Sequence, residues 1–214
     1  MMSFEFPKFL LFGDSITEYA YNQQPLTAED YMRASALSDF NPDDPEKAQY
    51  QSAKQVCFSM AAKLNDDYRR KMQVVHRGYA GYNSDQAVKI AKAMLQREHD
   101  PVSPGEQFKI ALVFFGSNDY RLTTPETGYM EGVSLDRFEK NMSEIADMFL
   151  SRGIKLILVT PGLHNDVLWD QASPGEISSG TYRTNERGLV YGSSIKAIAT
   201  ARNVPVIDMY SIMM

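Results

Sequence analysis

Lys8-Phe9-Leu10-Leu11-Phe12-Gly13-Asp14-Ser15 is the stretch whose reading decides the fold. A short unbroken apolar run closed by Gly-Asp-Ser reads as a strand buried on both faces, because a half-exposed strand would alternate apolar with polar residues. Four more runs of this kind follow, at Met72 to Val75, Ile110 to Phe115, Ile154 to Val159 and Val204 to Ile207.

Helical patterns separate these runs. From Asp85 to Glu98, Ala87, Ile90, Ala91, Met94 and Leu95 share one face, with Asn83 or Ser84 as N-cap. From Leu135 to Arg152, Leu135, Phe138, Met142, Ile145 and Phe149 do the same, with Ser134 as cap and Gly153 as stop. A third helix is read over Asn185 to Arg202, weakened by Gly188 and Gly192. Strand alternating with helix predicts an α/β fold in three α/β/α layers, with ligands bound at the carboxyl ends of parallel strands. The 214 residues predict one domain, 1–214. Asn22 to Pro45 is polar, carries Pro25, Pro42 and Pro45, and reads as an inserted loop leading to a helix near Gln49 to Leu64.

Composition excludes several functions. The net charge of -5 and a pI of about 5.3 argue against nucleic acid as a partner, since phosphates require a basic surface. No stretch approaches the ~20 apolar residues of a membrane span, and the run at Phe9 to Phe12 is too short for a secretory leader. A cytoplasmic location is therefore expected. Cys57, the single cysteine, reads as a buried hydrophobe between Val56 and Phe58.

Chemistry concentrates where three runs end. Ser15, on a glycine-containing turn after the first, sits where a nucleophile would be exposed; it could equally be a capping serine. The second leads into Arg77-Gly78-Tyr79-Ala80-Gly81-Tyr82-Asn83-Ser84 and the third into Gly116-Ser117-Asn118-Asp119. A glycine N–H at Gly81 and the Asn118 amide suit an oxyanion hole, although each residue is also common in plain turns. Their coincidence on three strands at one sheet edge favours the chemical reading. Tyr19, Tyr79, Tyr82 and Tyr120 offer either an apolar pocket or ordinary packing.

These blocks, Phe12-Gly13-Asp14-Ser15-Ile16-Thr17-Glu18, Arg77 to Asn83 and Phe115-Gly116-Ser117-Asn118-Asp119, resemble the SGNH (GDSL) hydrolases, and among them the isoamyl acetate-hydrolysing esterases of fungi and animals. Weaker similarity runs through Thr160-Pro161-Gly162-Leu163, Tyr182-Arg183-Thr184-Asn185-Glu186 and Val204-Pro205-Val206. The resemblance implies a flavodoxin-like fold with a five-stranded parallel sheet in the order 2-1-3-4-5. It implies Ser15 as nucleophile and as oxyanion donor through its N–H, with Gly81 and Asn118 as further donors. Asp14 and Asp119 are supporting candidates in the same blocks. The implied substrate is a small carboxylic ester, with neither metal nor organic cofactor.

The family's fourth block, Asp-x-x-His after the fifth strand, supplies the general base, and no Asp-x-x-His occurs in these 214 residues. The expectation is a domain lacking its closing segment, impaired in hydrolysis, and prone to associate with further copies through uncovered apolar surface. Among the histidines, His76 reads as a packing or hydrogen-bonding residue and His99 as solvated surface. His164, near Asp166 after the fourth run, is the surrogate base to consider, although its strand would lie roughly 10 Å from the first. Asp208 reads as a cap or hydrogen-bonding group. The competing reading is a catalytically inactive ligand-binding or interaction protein of the same fold. A phosphate or flavin binder would need a richer loop after the first strand.

Overall fold

The computed structural model describes residues 5–21, 59–122, 132–172, 175–178, 180 and 182–214. The expected loop 22–45, Cys57 and most of the helix expected near 49–64 lie outside them.

Five strands, β1 (Lys8–Gly13), β2 (Gln73–Gly78), β3 (Phe108–Phe114), β4 (Lys155–Val159) and β5 (Val206–Ile207), form one parallel sheet in the order β2-β1-β3-β4-β5. Among the described residues the α-helices are α1 (Ser15–Glu18), α2 (Met60–Asp67), α3 (Ser84–Met94), α4 (Leu135–Leu150), α5 (Asp166–Ala172), α6 (Gly175–Ser178), α7 (Asn185–Arg202) and α8 (Met209–Met213).

β1 shows why its run is unbroken. Leu10 and Phe12 join one cluster with residues of α3, α4 and α7. Phe9 and Leu11 join a second, with Leu112, Phe114, Ala61 and Leu64 of α2. Successive side chains point to opposite faces and both faces are dry, so each position from Phe9 to Phe12 is apolar. α4 buries Phe138, Met142, Ile145 and Phe149 completely; truncation to alanine costs about 3 to 5 kcal/mol for either phenylalanine and about 2 to 5 kcal/mol for Met142 or Ile145.

Element ends depart from the sequence reading in physically informative ways. β2 runs through His76 and Arg77 to Gly78, because neighbours satisfy the polar side chains. His76 Nε2 bonds the Thr17 carbonyl, and Arg77 donates to Glu98 from Nε at 3.1 Å and Nη2 at 2.5 Å. The helix expected to reach Glu98 changes after Met94 into a π-helical turn, Leu95–His99. His99 is not solvated surface. It is buried at 4% exposure, stacked on Phe108 at 5.9 Å, and its pKa is lowered by desolvation. Ser134 does occupy the N-cap of α4, but its side chain makes no capping bond. α7 holds through Gly188 and Gly192, which lie against Tyr120 and Thr160. None of the described helices is long and apolar enough to cross a membrane.

Candidate active site

The order β2-β1-β3 places β1 between the two strands that carry the other blocks, with Gly13 opposite Gly78 on one side and Phe114 on the other. Ser15, Gly81 and Asn118 follow these aligned positions by two, three and four residues. They therefore gather at the carboxyl edge of the sheet's centre.

Asp14 turns the chain from strand to helix. Its Oδ1 accepts the Ile16 N–H at 2.9 Å, and Ser15 opens α1, half-buried. The Ser15 N–H thus stands in a first helical turn, where backbone donors have no intrahelical acceptor. Gly78 backs directly onto this turn: a Cβ there would lie 2.1 Å from Glu18 N and 2.3 Å from Glu18 Cα. The chain then makes a tight turn closed by the Tyr82 N–H to the Tyr79 carbonyl at 3.2 Å, with Gly81 at φ +78°, a conformation open to glycine and costly for other residues. The Glu18 carboxylate accepts the Ala80 N–H, tying this turn to α1. Asn83 then starts α3 with a capping box, donating its N–H to Gln86 at 2.9 Å and accepting from the Asp85 N–H at 3.0 Å.

After β3, Asn118 reaches back to the second block. Its Nδ2 donates to the Tyr82 carbonyl at 2.8 Å, while its Oδ1 accepts from Arg183 Nη2 at 2.9 Å. Asp119 accepts the Ser84 N–H at 2.8 Å at the start of α3. Side-chain-to-backbone bonds thus join the first block to the second and the second to the third.

Two acids lie beneath this edge. Asp14 and Asp119 are fully buried, and among the described residues Asp14 Oδ2, Asp119 Oδ2 and the Thr17 hydroxyl make no hydrogen bond. Burial raises the Asp14 pKa from 3.8 to about 7, assisted by the Asp119 charge and opposed by the Ile16 N–H and Arg183. Burial raises that of Asp119 to about 6, opposed by its bonds from Ser84. A half-satisfied carboxylate cut off from water favours its neutral form.

The other residues expected near the site are distributed as follows. Tyr79 and Tyr82 stack with centroids 5.4 Å apart, and Tyr82 and Tyr19 are exposed. Tyr120 is core instead of pocket, 2% exposed and 6.2 Å from the Tyr191 ring. His164 follows β4. Its backbone exchanges two 2.9 Å bonds with the Asn185 side chain, and its ring lies 5.9 Å from Trp169. His76 is engaged with Thr17 and Tyr21. Asp208 caps α8 and accepts from Lys196 at 2.8 Å, which with its bonds from Ser211 lowers its pKa to about 2. Sequence reasoning missed Arg183 and Glu18 as site residues. Each lies inside a quoted block, but only the tertiary contacts reveal what it holds.

The model of the GDSL-like lipase/acylhydrolase family matches residues 11–214. The chain belongs to this family. It is 30% identical over 203 residues to the isoamyl acetate-hydrolyzing esterase of Saccharomyces cerevisiae, covering 95% of this chain and 70% of that one. It is 29% identical to the rice GDSL esterase/lipase WDL1 over 71% of this chain and 56% of the relative. Among solved structures, the SGNH-hydrolase family esterase AlinE4 matches with a TM-score of 0.55 at 15% identity, over 98% of this chain and 79% of that one. A GDSL-like lipase of Bacteroides thetaiotaomicron matches with a TM-score of 0.52 at 15% identity, over 96% and 70%. These two share the fold. The chain is thus an esterase/acylhydrolase-family protein of the SGNH fold.

Proposed function

We propose that the chain is a serine esterase of small carboxylic, acetate-type esters, with Ser15 as nucleophile. The observation that carries this reading is the bond from Asn118 Nδ2 to the Tyr82 carbonyl, which holds the third block against the Gly81 turn beside the strand that delivers Ser15. Ser15 Oγ attacks the acyl carbon and its proton passes to a base. The carbonyl oxygen becomes an oxyanion, received by the Ser15 and Gly81 N–H groups and by the Asn118 N–H not directed at Tyr82. Collapse expels the alcohol, which takes up the proton, and water then releases the acid from Ser15.

The base is the weak point within these 214 residues. They hold no Asp-x-x-His, His76 is turned to Thr17, and His99 is buried against Phe108. His164 is the remaining imidazole, two strands from β1 in the sheet order. On this reading the 214-residue chain hydrolyses esters slowly, retaining about a thousandfold over water from the oxyanion hole alone.

The test is p-nitrophenyl acetate hydrolysis by the chain and by its Ser15→Ala, Asn118→Ala and His164→Ala variants. Loss with Ser15→Ala and a drop of about a hundredfold with Asn118→Ala are expected, with His164→Ala near the parent. A large loss with His164→Ala would make it the base, and a rate indifferent to Ser15 would overturn the esterase reading. A second reading is a catalytically inactive protein of the same fold that binds a small ester at this sheet edge. Saturable binding of a small ester without Ser15-dependent turnover would select it.

A further inference from the structure

We propose that Arg183 is a positioning residue that fixes the Asn118 amide with its donor end toward the oxyanion; this rests on the reading of Asn118 as part of the hole. A side-chain amide has two ends of nearly equal shape and opposite polarity, so an oxyanion donor of this kind needs something to decide which end faces the substrate. Two contacts decide it here. Arg183 Nη2 donates to Asn118 Oδ1 at 2.9 Å, and a guanidinium cannot accept, so that end must be the carbonyl. At the other end the Tyr82 carbonyl, at 2.8 Å, requires a donor. One of the two Nδ2 hydrogens is thereby used, and the second is left for the substrate.

Arg183 is built for this task. Its Nε donates to the Ser117 carbonyl at 2.7 Å, so one guanidinium grips two successive residues of the third block. It is 8% exposed, and its guanidinium carbon lies over the Trp169 ring at 5.2 Å. A planar fork held on one face by an indole and along one edge by two acceptors has little freedom to rotate. Its charge also faces Asp14 and Tyr120, lowering the pKa of each against the effect of burial. Arg183 itself belongs to the segment just before α7, carried by neither Ser15's strand nor Asn118's. A charge-assisted bond to the amide oxygen further strengthens the N–H at its far end as a donor. Lysine, a single point donor, cannot reproduce the grip on both Ser117 and Asn118.

The experiment is a double-mutant cycle on Ser15-dependent p-nitrophenyl acetate hydrolysis by the full 214-residue chain, with melting temperature as the control for folding. Arg183→Met and Arg183→Lys are expected to lower kcat about 10- to 100-fold with KM within about twofold, because the misdirected donor acts in the transition state alone. In the Asn118→Ala background the same substitutions should change kcat by less than about twofold. Should Arg183→Met fail to fold, Arg183→Lys, which keeps a cation near Trp169, carries the same cycle. Losses that multiply with that of Asn118→Ala, or that fall on KM, would overturn the positioning role. If Asn118→Ala leaves kcat unchanged while Ser15→Ala abolishes it, the oxyanion reading of Asn118 is what fails.

Discussion

Replacing Asp14 with asparagine tests how the buried acid beside Ser15 is held. The side chain is fully buried, Oδ1 accepts the Ile16 N–H, and Oδ2 has no partner among the described residues. Burial carries the pKa from 3.8 to about 7. An unfolded chain releases this proton near 3.8, whereas the folded chain keeps it to about 7. The contribution of Asp14 to stability is therefore complete below the lower value and is lost as the pH rises to the upper one. The loss runs at ~1.36 kcal/mol per pH unit, or ~4 kcal/mol in all. Asparagine retains an acceptor for Ile16 and cannot ionise. The two proteins should melt together, within ~1 kcal/mol, at a pH of about 4. By a pH of about 8 the variant should gain up to ~4 kcal/mol, about 10 °C for a chain of this size. Thermal melts followed by circular dichroism across that range measure the difference directly, and taking the difference cancels the titration of groups that do not interact with Asp14. A melting difference that does not change with pH would refute the reasoning, since a purely steric or hydrogen-bonding effect has no proton linkage.

Three further outcomes follow from the geometry. Gly78→Ala should cost at least ~3 kcal/mol, seen as lost soluble yield or a large drop in melting temperature, because the added methyl meets the Glu18 backbone and no flexible atom can yield. Gly81→Ala meets nothing within 4 Å, so its cost is that of φ +78° alone, ~1 kcal/mol. The shifted N–H should nevertheless slow Ser15-dependent hydrolysis about tenfold. Asp208→Asn should destabilise by ~1 kcal/mol near neutral pH, a value trimmed by solvent because the Lys196 and Asp208 side chains are 43% and 25% exposed. A depressed carboxylate contributes above its unfolded pKa, so this difference should fade as pH falls from 3.8 through about 2 in chemical denaturation.

The central strands were legible because a strand dry on both faces leaves a mark that local chemistry cannot imitate: Phe9 to Phe12 and Ile110 to Phe114 are unbroken apolar runs. β2 was legible only in part. His76, Arg77 and Gly78 are strand residues whose polarity is answered from Thr17 and Glu98, far away in sequence. The misreading of His99 has the same origin, since polar neighbours suggest water whereas the face it covers belongs to Phe108.

Sequence alone, through apolar period and turn chemistry, determined the alternation of strand and helix, the three blocks at the strand ends, and hence Ser15, Gly81 and Asn118 as the residues to examine. Family resemblance added the strand order. Only the tertiary structure decided which way the Asn118 amide is held, that Arg183 holds it, and that Asp14 and Asp119 are carboxyls cut off from water. The physical reason is range. A turn or an apolar face is written within a few residues, whereas a hydrogen bond spanning 65 positions, or the desolvation of a buried acid, exists only once distant segments have packed.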